Sequence, residues 1–150
     1  MLNVKTYKMS DELTLTKIML QLSEFNITGM QIVYEGAGDS GSIENILFTK
    51  KPLEHPADIS ENIDDRWSSE YNLISYGFDP EKVKDLESDI EDIITTILLD
   101  KVEDWWNNDG GYGVLNMLVP SGWYEIQNSV RYTEVNTYGH DGNIFNKLEN

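Results

Sequence analysis

The order of helix-like and strand-like segments constrains the fold of this chain more than any other feature. A helical pattern at about residues 10–26 precedes two strand-like runs, and a second helical pattern at about residues 80–106 precedes two more. Strands joined by short turns pair antiparallel, and a helix with one apolar side buries that side against another element. The order therefore predicts an α+β fold. It would have a four-stranded, mostly antiparallel sheet of two hairpins, with both helices packed on one face.

Both predicted helices carry start signals. Ser10-Asp11-Glu12 offers a capping side chain followed by acids, and Asp79-Pro80-Glu81 adds proline at the first helical position. Apolar residues then recur at the spacing of one helix side. They are Leu15, Ile18, Leu22 and Phe25 in the first helix, and Val83, Leu86, Ile90, Ile93, Ile97, Leu98 and Val102 in the second.

Runs of alternating apolar and polar residues predict four strands. The strands cover residues 30–35, 43–49, 112–119 and 123–135. The first pair is predicted to form a hairpin with a wide connection, and residues from Gly139 onward are predicted to form a C-terminal tail. The stretch of residues 52–78 has the weakest pattern. It predicts either a short helix at about residues 59–73 or an irregular loop held by Trp67.

The charge of the chain limits its partners. The formal net charge is −16, from 27 acidic and 11 basic side chains. Binding to a nucleic-acid backbone needs clustered lysine and arginine, so direct binding to nucleic acid is not expected. An acidic protein is attracted to basic protein surfaces, so we expect a partner protein with a basic surface.

The composition also narrows the class of protein. The chain has no cysteine, which excludes disulfides, cysteine-ligated zinc and thiol catalysis. No apolar run reaches about 18 residues, and residues 1–5 lack the apolar core of a signal peptide, so no membrane contact is expected. We therefore expect a cytoplasmic protein, of a bacterial or an infected host cell. Its length of 150 residues suits a single domain over 1–150.

The first Gly-rich segment, residues 36–44, is the leading candidate for a binding site. Glycine permits positive φ angles and close approach of the backbone to a ligand. A strand follows where a dinucleotide site needs a helix, and the lysine of a phosphate loop is missing. The spacing favours a hairpin turn in which Asp39 and Ser40 bond their own backbone, and a ligand or cation site is the alternative. The loop-shaping residues are Gly36, Gly38 and Gly41, and the candidate ligating residues are Asp39, Ser40 and Glu44.

The second Gly-rich segment, residues 107–113, joins the second helix to the third strand. Gly110, Gly111 and Gly113 are predicted to shape it. One explanation is a helix C-cap followed by a strand bulge. The other places both Gly-rich segments together at one end of the sheet, as two parts of one site.

A cation site would follow from the second explanation. Asp39 would then lie close to Asp109, and Glu44 would complete a carboxylate cluster. Carboxylate oxygens are the ligands that Mg²⁺ and Ca²⁺ prefer. The spacing does not match an EF-hand loop, so we expect no cofactor unless this cluster forms.

Catalytic patterns are weak in this chain. His140, a further candidate for ligand or metal binding, is followed by Asp141. An arrangement of Ser40, His140 and Asp109 can be written down, but no spacing supports it. The nucleophile elbow Gly-x-Ser-x-Gly is missing. The sequence therefore favours a protein that is not an enzyme.

Two sets of residues are candidates for a protein interface. Trp105 and Trp106 are adjacent and cannot both face the core from one helix, so one of them covers a sheet edge or lies at an interface. A homo-oligomer with this contact is one alternative. Asp85, Asp89 and Asp92 lie on the solvated side of the second helix, where a run of acids is usually only a wet helix face.

The two Gly-rich segments also carry a resemblance. The chain resembles a family of small uncharacterised bacterial and phage proteins in Gly36-Ala37-Gly38-Asp39-Ser40-Gly41-Ser42-Ile43-Glu44, in Asn108-Asp109-Gly110-Gly111-Tyr112-Gly113, and in the later Arg131-Tyr132 and His140. The resemblance covers roughly residues 10–142. It implies that the two segments belong to one structural feature, and it implies no activity.

These observations lead to two functional hypotheses. The first is an acidic, cytosolic protein-binding module, such as a phage-encoded modulator or inhibitor of a host defence or nucleic-acid-processing protein. The second is a protein that binds a small ligand or a divalent metal, with hydrolytic activity as a variant, at the two Gly-rich segments. The first is favoured by the high negative charge and the weak catalytic patterns.

Overall fold

The computed structural model of the protein describes residues 9–37, 40–63, 73–97, 99, 102, 110–130 and 136–145. The longer helices are α1 (Met9–Glu24) and α2 (Pro80–Ile97), and η1 (Pro56–Glu61) is a 3-10 helix. The strands are β1 (Gly29–Ala37), β2 (Ser40–Thr49), β3 (Gly111–Leu118), β4 (Trp123–Val130) and β5 (Asn136–Asn143).

The strands form one antiparallel sheet in the order β2-β1-β3-β4-β5. The predicted α+β class is confirmed, whereas the predicted number of four strands is wrong. The strand predicted over residues 123–135 ends at Val130, and β5 begins at Asn136. β5 contains two glycines, two asparagines and an aspartate, which are uncommon in strands, so its sequence indicated a tail. As an edge strand of the described sheet, β5 can be polar along its length.

The helix α2 is shorter than its apolar pattern. The predicted helix reached residue 106, but α2 ends at Ile97. After the helix the Val102 amide donates to the Leu99 carbonyl (3.0 Å), and the side chains of both residues are buried. The chain therefore continues to supply apolar side chains to the core after leaving the helix, which is why the pattern overestimated the helix.

Both α-helices pack on one face of the sheet, which we call the helix face. Ile32 of β1 points to this face and lies opposite Ile46 on β2 and Leu115 on β3. A fully buried aliphatic side chain of this kind contributes about 1.5–3 kcal/mol. The helices add Leu15, Ile18, Met19 and Leu22 from α1 and Val83, Leu86, Ile90, Ile93 and Ile94 from α2.

The opposite face, which we call the outer face, carries the alternate residues of each strand. The 3-10 helix η1 packs on one end of this face. A Cβ atom at Gly29 would lie 2.6 Å from the Leu53 side chain and 2.9 Å from that of Ile59. Because these distances are shorter than a carbon contact allows, glycine at this position lets the η1 segment approach β1.

A polar network ties η1 to the sheet. The Gln31 amide donates to Oδ1 of Asn116 (3.0 Å), and the Asn116 amide donates to the Ser60 hydroxyl (3.0 Å). Gln31 and Asn116 are buried, and leaving such a group unpaired would cost about 1–3 kcal/mol. Of the two alternatives predicted for residues 52–78, the short helix does not begin at residue 59, because the 3-10 helix η1 covers Pro56–Glu61. Residues 64–72, with Trp67, lie outside the described residues.

Candidate functional site

The described parts of the two Gly-rich segments meet at one end of the sheet. Gly36 of β1 lies opposite Gly41 on β2 and opposite Gly111 on β3. The segments are therefore neighbours, through the pairing of β1 with both strands. Asp39 and Asp109 lie outside the described residues, so their predicted closeness stays a prediction.

The connection between β1 and β2 is shorter than predicted. Ala37 at the end of β1 pairs with Ser40 at the start of β2, so only Gly38 and Asp39 separate the strands. The prediction of a wide connection was wrong because Gly36 and its partner on β2 continue the ladder instead of forming a loop. Gly38 lies outside the described residues.

Gly113 lies inside β3 and has a packing role. A Cβ atom there would lie 2.5 Å from the Tyr34 hydroxyl and 2.3 Å from the Gln127 carbonyl oxygen. The missing side chain lets the buried Tyr34 reach across β3 and donate to Oδ1 of Asn128 on β4 (2.6 Å). Gly110, just before β3, has a φ of +76°, which glycine adopts without steric cost.

Glu44 occupies a β-bulge. Asn45 lies opposite Val33 and Ile43 opposite Tyr34, so Glu44 is the extra residue of β2. A bulge re-aims its side chain and increases the local twist. The Ser42 hydroxyl donates to the Glu44 carboxylate, which is exposed.

A shallow depression lies beside this bulge on the outer face. Its volume is about 430 Å³, and its lining includes Glu35, Glu44, Tyr112, Gln127 and Thr137. Two carboxylates thus lie near the end where the Gly-rich segments meet. Among the described residues, no three histidine, aspartate or glutamate side chains are placed to hold one metal ion.

Ser40 and His140 are far apart. Ser40 starts β2, at one edge of the sheet, and His140 lies opposite Ile126 within β5, at the other edge. Four strand spacings of about 4.8 Å separate these strands, or about 19 Å. The arrangement of Ser40, His140 and Asp109 is therefore excluded as a catalytic triad, and His140 is not part of the region where the Gly-rich segments meet.

A larger groove was missed by sequence reasoning. It lies on the outer face, with η1 and the residues before it on one side and strands β4 and β5 on the other. Its volume is about 680 Å³. We call it the η1 groove, and its main features are the side chains of Leu118, Trp123, Glu125 and Asp141 and the chain from Glu54 to Asp58. The alternation of Trp123 and Glu125 on one side of β4 was a usable signal. Asp141 was not, because β5 was interpreted as a tail.

Asp58 holds the wall of this groove in shape. Its carboxylate accepts hydrogen bonds from the backbone amides of His55 (2.9 Å) and Glu54 (3.1 Å). Both bonds favour the charged carboxylate and therefore lower the pKa of Asp58. The bond from His55 has the larger effect and the bond from Glu54 the smaller one. The segment that faces β4 and β5 is thus ordered by a charged group of its own.

The acids of α2 form a separate surface. Asp85, Asp89 and Asp92, which we call the α2 acid row, are exposed and recur at helical spacing on the side away from the core. Trp105 and Trp106, the other interface candidates, lie outside the described residues. The α2 acid row lies on the helix side of the sheet, whereas the η1 groove lies on the outer face.

The fold and these surfaces describe an acidic α+β protein with a helix layer on one side of an antiparallel sheet. The chain belongs to a family of unknown function, DUF6878, which it matches over residues 14–142. No curated protein and no solved structure matches the chain. The matched range includes α2 and most of β5, so both the α2 acid row and the η1 groove lie within the family's extent. No described helix is long and apolar enough to cross a lipid bilayer.

Proposed function

We propose that this protein is an acidic protein-binding module whose partner has a basic surface. The observation that carries the proposal is the α2 acid row, three exposed aspartates on one side of α2, in a chain with a net charge of −16. Opposite charges accelerate and orient association over distances of about the Debye length, roughly 10 Å at 0.1 M salt.

The setting of this function is also a proposal. A cytoplasmic role as a phage-encoded modulator or inhibitor of a host defence or nucleic-acid-processing protein suits the charge, because proteins that bind nucleic acid present basic surfaces. The bacterial and phage origin is supported by the resemblance of the two Gly-rich segments. An acidic surface would compete with nucleic acid for such a partner.

The test is the salt dependence of binding. The protein is immobilised, partners are captured from a bacterial lysate, and the affinity of each captured protein is measured from about 0.05 M to about 0.5 M salt. The variant D85N/D89N/D92N removes three charges from the α2 acid row and is expected to weaken binding about tenfold, from about 0.5 kcal/mol for each exposed charge. Binding that does not depend on salt would contradict the proposal.

A matched control separates local charge from total charge. The variant E24Q/E44Q/E61Q also removes three charges, but from exposed positions on α1, β2 and η1. We expect it to weaken binding much less than D85N/D89N/D92N. Equal losses in the two variants would mean that only the total charge matters and that α2 is not the contact.

The second candidate function is binding of a small ligand or a divalent metal at the Gly-rich segments. It is favoured by the depression of about 430 Å³ beside Glu35 and Glu44. A ligand that binds the folded state raises its Tm, so Mg²⁺, Ca²⁺ and a panel of nucleotides are added one at a time. We expect Asp39→Ala to abolish any rise and Asp92→Asn to retain it. No rise with any of them would remove this candidate.

A further inference from the structure

We infer that the η1 groove binds an arginine side chain of the basic partner. The groove combines an exposed aromatic ring with opposed carboxylates, which is the chemistry that recognises a guanidinium group. The inference rests on the proposed function for the sign of the partner's charge. It differs in location, since the groove lies across the sheet from α2.

Trp123 is the aromatic part of the groove. It is the first residue of β4, and 51% of its surface is exposed, whereas the next residue, Tyr124, turns to the helix face and is buried. It is one of six exposed large hydrophobic side chains among the described residues, and it lines the groove. A cation placed over a tryptophan face is attracted by the ring, and arginine also stacks on it.

Glu125 and Asp141 are the charged part. They lie directly opposite each other on β4 and β5, on the same side of the sheet as Trp123. Like charges in this position destabilise a sheet, so the pair is unfavourable for folding alone. A guanidinium group between the two carboxylates would remove the repulsion and form charge-assisted hydrogen bonds.

The described lining of the groove includes one basic side chain, that of His55. No lysine or arginine is among its described lining residues. Among the described residues, the acids of the groove also do not belong to any group of three side chains that could hold a metal ion. An organic cation supplied by a partner fits this combination better than a bare metal ion, because a guanidinium group spreads its charge over several donors.

The groove is large enough to hold more than one side chain of a partner. Its volume of about 680 Å³ falls in the range of small-molecule sites, roughly 300–1,000 Å³. The wall from Glu54 to Asp58 is held by the hydrogen bonds of Asp58, so the groove exists before binding. The groove therefore has room for an arginine and for neighbouring residues of the partner segment.

The experiment measures the affinity of a capped pentapeptide with two arginines, at low salt, by titration calorimetry. The matched peptide carries citrulline, a neutral side chain of similar shape, at both positions. Trp123→Leu keeps an apolar side chain, and E125Q/D141N removes the carboxylates. We expect each variant to weaken the arginine peptide about fivefold or more, and citrulline to weaken binding by a similar factor.

The control is D85N/D89N/D92N, which is expected to change the affinity of the peptide less than twofold. Unchanged affinity in both groove variants, or equal binding of the citrulline peptide, would overturn the inference. Loss of binding only in D85N/D89N/D92N would also overturn it and would leave the proposed function standing. Conversely, an intact peptide site with no salt-dependent protein partner would contradict the proposed function alone.

Discussion

The two faces of the sheet differ in the chemistry and the burial of their side chains. On the helix face, Ile32 and its neighbours are apolar, buried and covered by α1 and α2. On the outer face, η1 is attached through Gln31 and Asn116, and beyond it lies a groove with a half-exposed tryptophan. The buried apolar residues of the helix face have a clear reason in packing. The exposed Trp123 and the opposed acids of the outer face take no part in such packing, which is why we place the arginine site on that face.

The acidic residues on the two sides of the sheet also differ in their surroundings. The α2 acid row is the solvated side of an amphipathic helix, so its position follows from the packing of the opposite side. Under the proposed function it would supply attraction without selectivity. Glu125 and Asp141 are instead a like-charged pair beside an aromatic ring, an arrangement that suits one kind of side chain.

The largest effect is expected from two neighbouring residues on opposite faces of β1. Ile32→Ala should lower the free energy of unfolding by about 3 kcal/mol, because Ile32 is completely buried. Val33→Ala should cost about 1 kcal/mol, because Val33 is half-buried beside the depression on the outer face. Urea unfolding measures both. Equal costs would show that the outer face contributes as much to folding as the helix face.

Gly113→Ala tests the passage of Tyr34 across β3. The new Cβ would clash with the Tyr34 hydroxyl and the Gln127 carbonyl, so we expect a loss of about 2 kcal/mol. Gly139→Ala is the control, since its Cβ would lie 3.4 Å from the nearest atom, the Ile126 carbonyl oxygen. An unchanged Tm of the Gly113→Ala variant in thermal unfolding would mean that this glycine is not needed for the packing of Tyr34.

Glu125→Gln should stabilise the protein, which would sharpen the contrast between the two faces. Removing one member of a like-charged cross-strand pair is expected to raise the free energy of unfolding by about 0.5 kcal/mol. Asp141→Asn should give a similar gain, and the double variant should add little, because one substitution already ends the repulsion. Glu61→Gln, at an exposed acid outside the groove, controls for net charge. A lower free energy of unfolding for Glu125→Gln would contradict the argument that this pair is unfavourable for folding.

The smallest effect concerns the wall of the groove. Because its hydrogen bonds lower the pKa of Asp58 in the folded state, their contribution is complete above the ordinary aspartate pKa of about 4 and is lost as the pH falls through the lowered value. Asp58→Asn should therefore be slightly less stable than the parent at pH 6, and the difference should narrow toward pH 3. A difference in Tm that is constant over this range would show that Asp58 does not act through its charge.

The fold was largely predictable because its strongest signals are local. The starts of both helices and the two hairpins follow from capping residues, from helical spacing and from strand alternation, all of which are properties of neighbouring residues. β5 was missed because an edge strand needs little apolar surface, and its glycines resemble a tail. The end of α2 was missed because buried residues such as Leu99 continue the apolar pattern after the helix.

The site was less predictable because it is made by pairing across strands. The Gly-rich segments attracted attention through composition, yet Gly36, Gly41 and Gly111 continue strands and Gly113 admits Tyr34. The η1 groove joins residues from four separate parts of the chain, and the Glu125–Asp141 pair exists only through the register of a strand that was not predicted. Composition identified an acidic protein, and register was needed to place its acids.

The most direct measurement is a map of the arginine peptide on the protein by amide chemical shifts. The claim that the outer face carries an arginine site predicts the largest changes at Trp123, Glu125 and Asp141 and along Glu54 to Asp58, with little change at the α2 acid row. The indole N–H signal of Trp123, assigned through its loss in Trp123→Leu, should shift most among the tryptophans. Changes confined to α2, or spread evenly over the exposed acids, would contradict the claim.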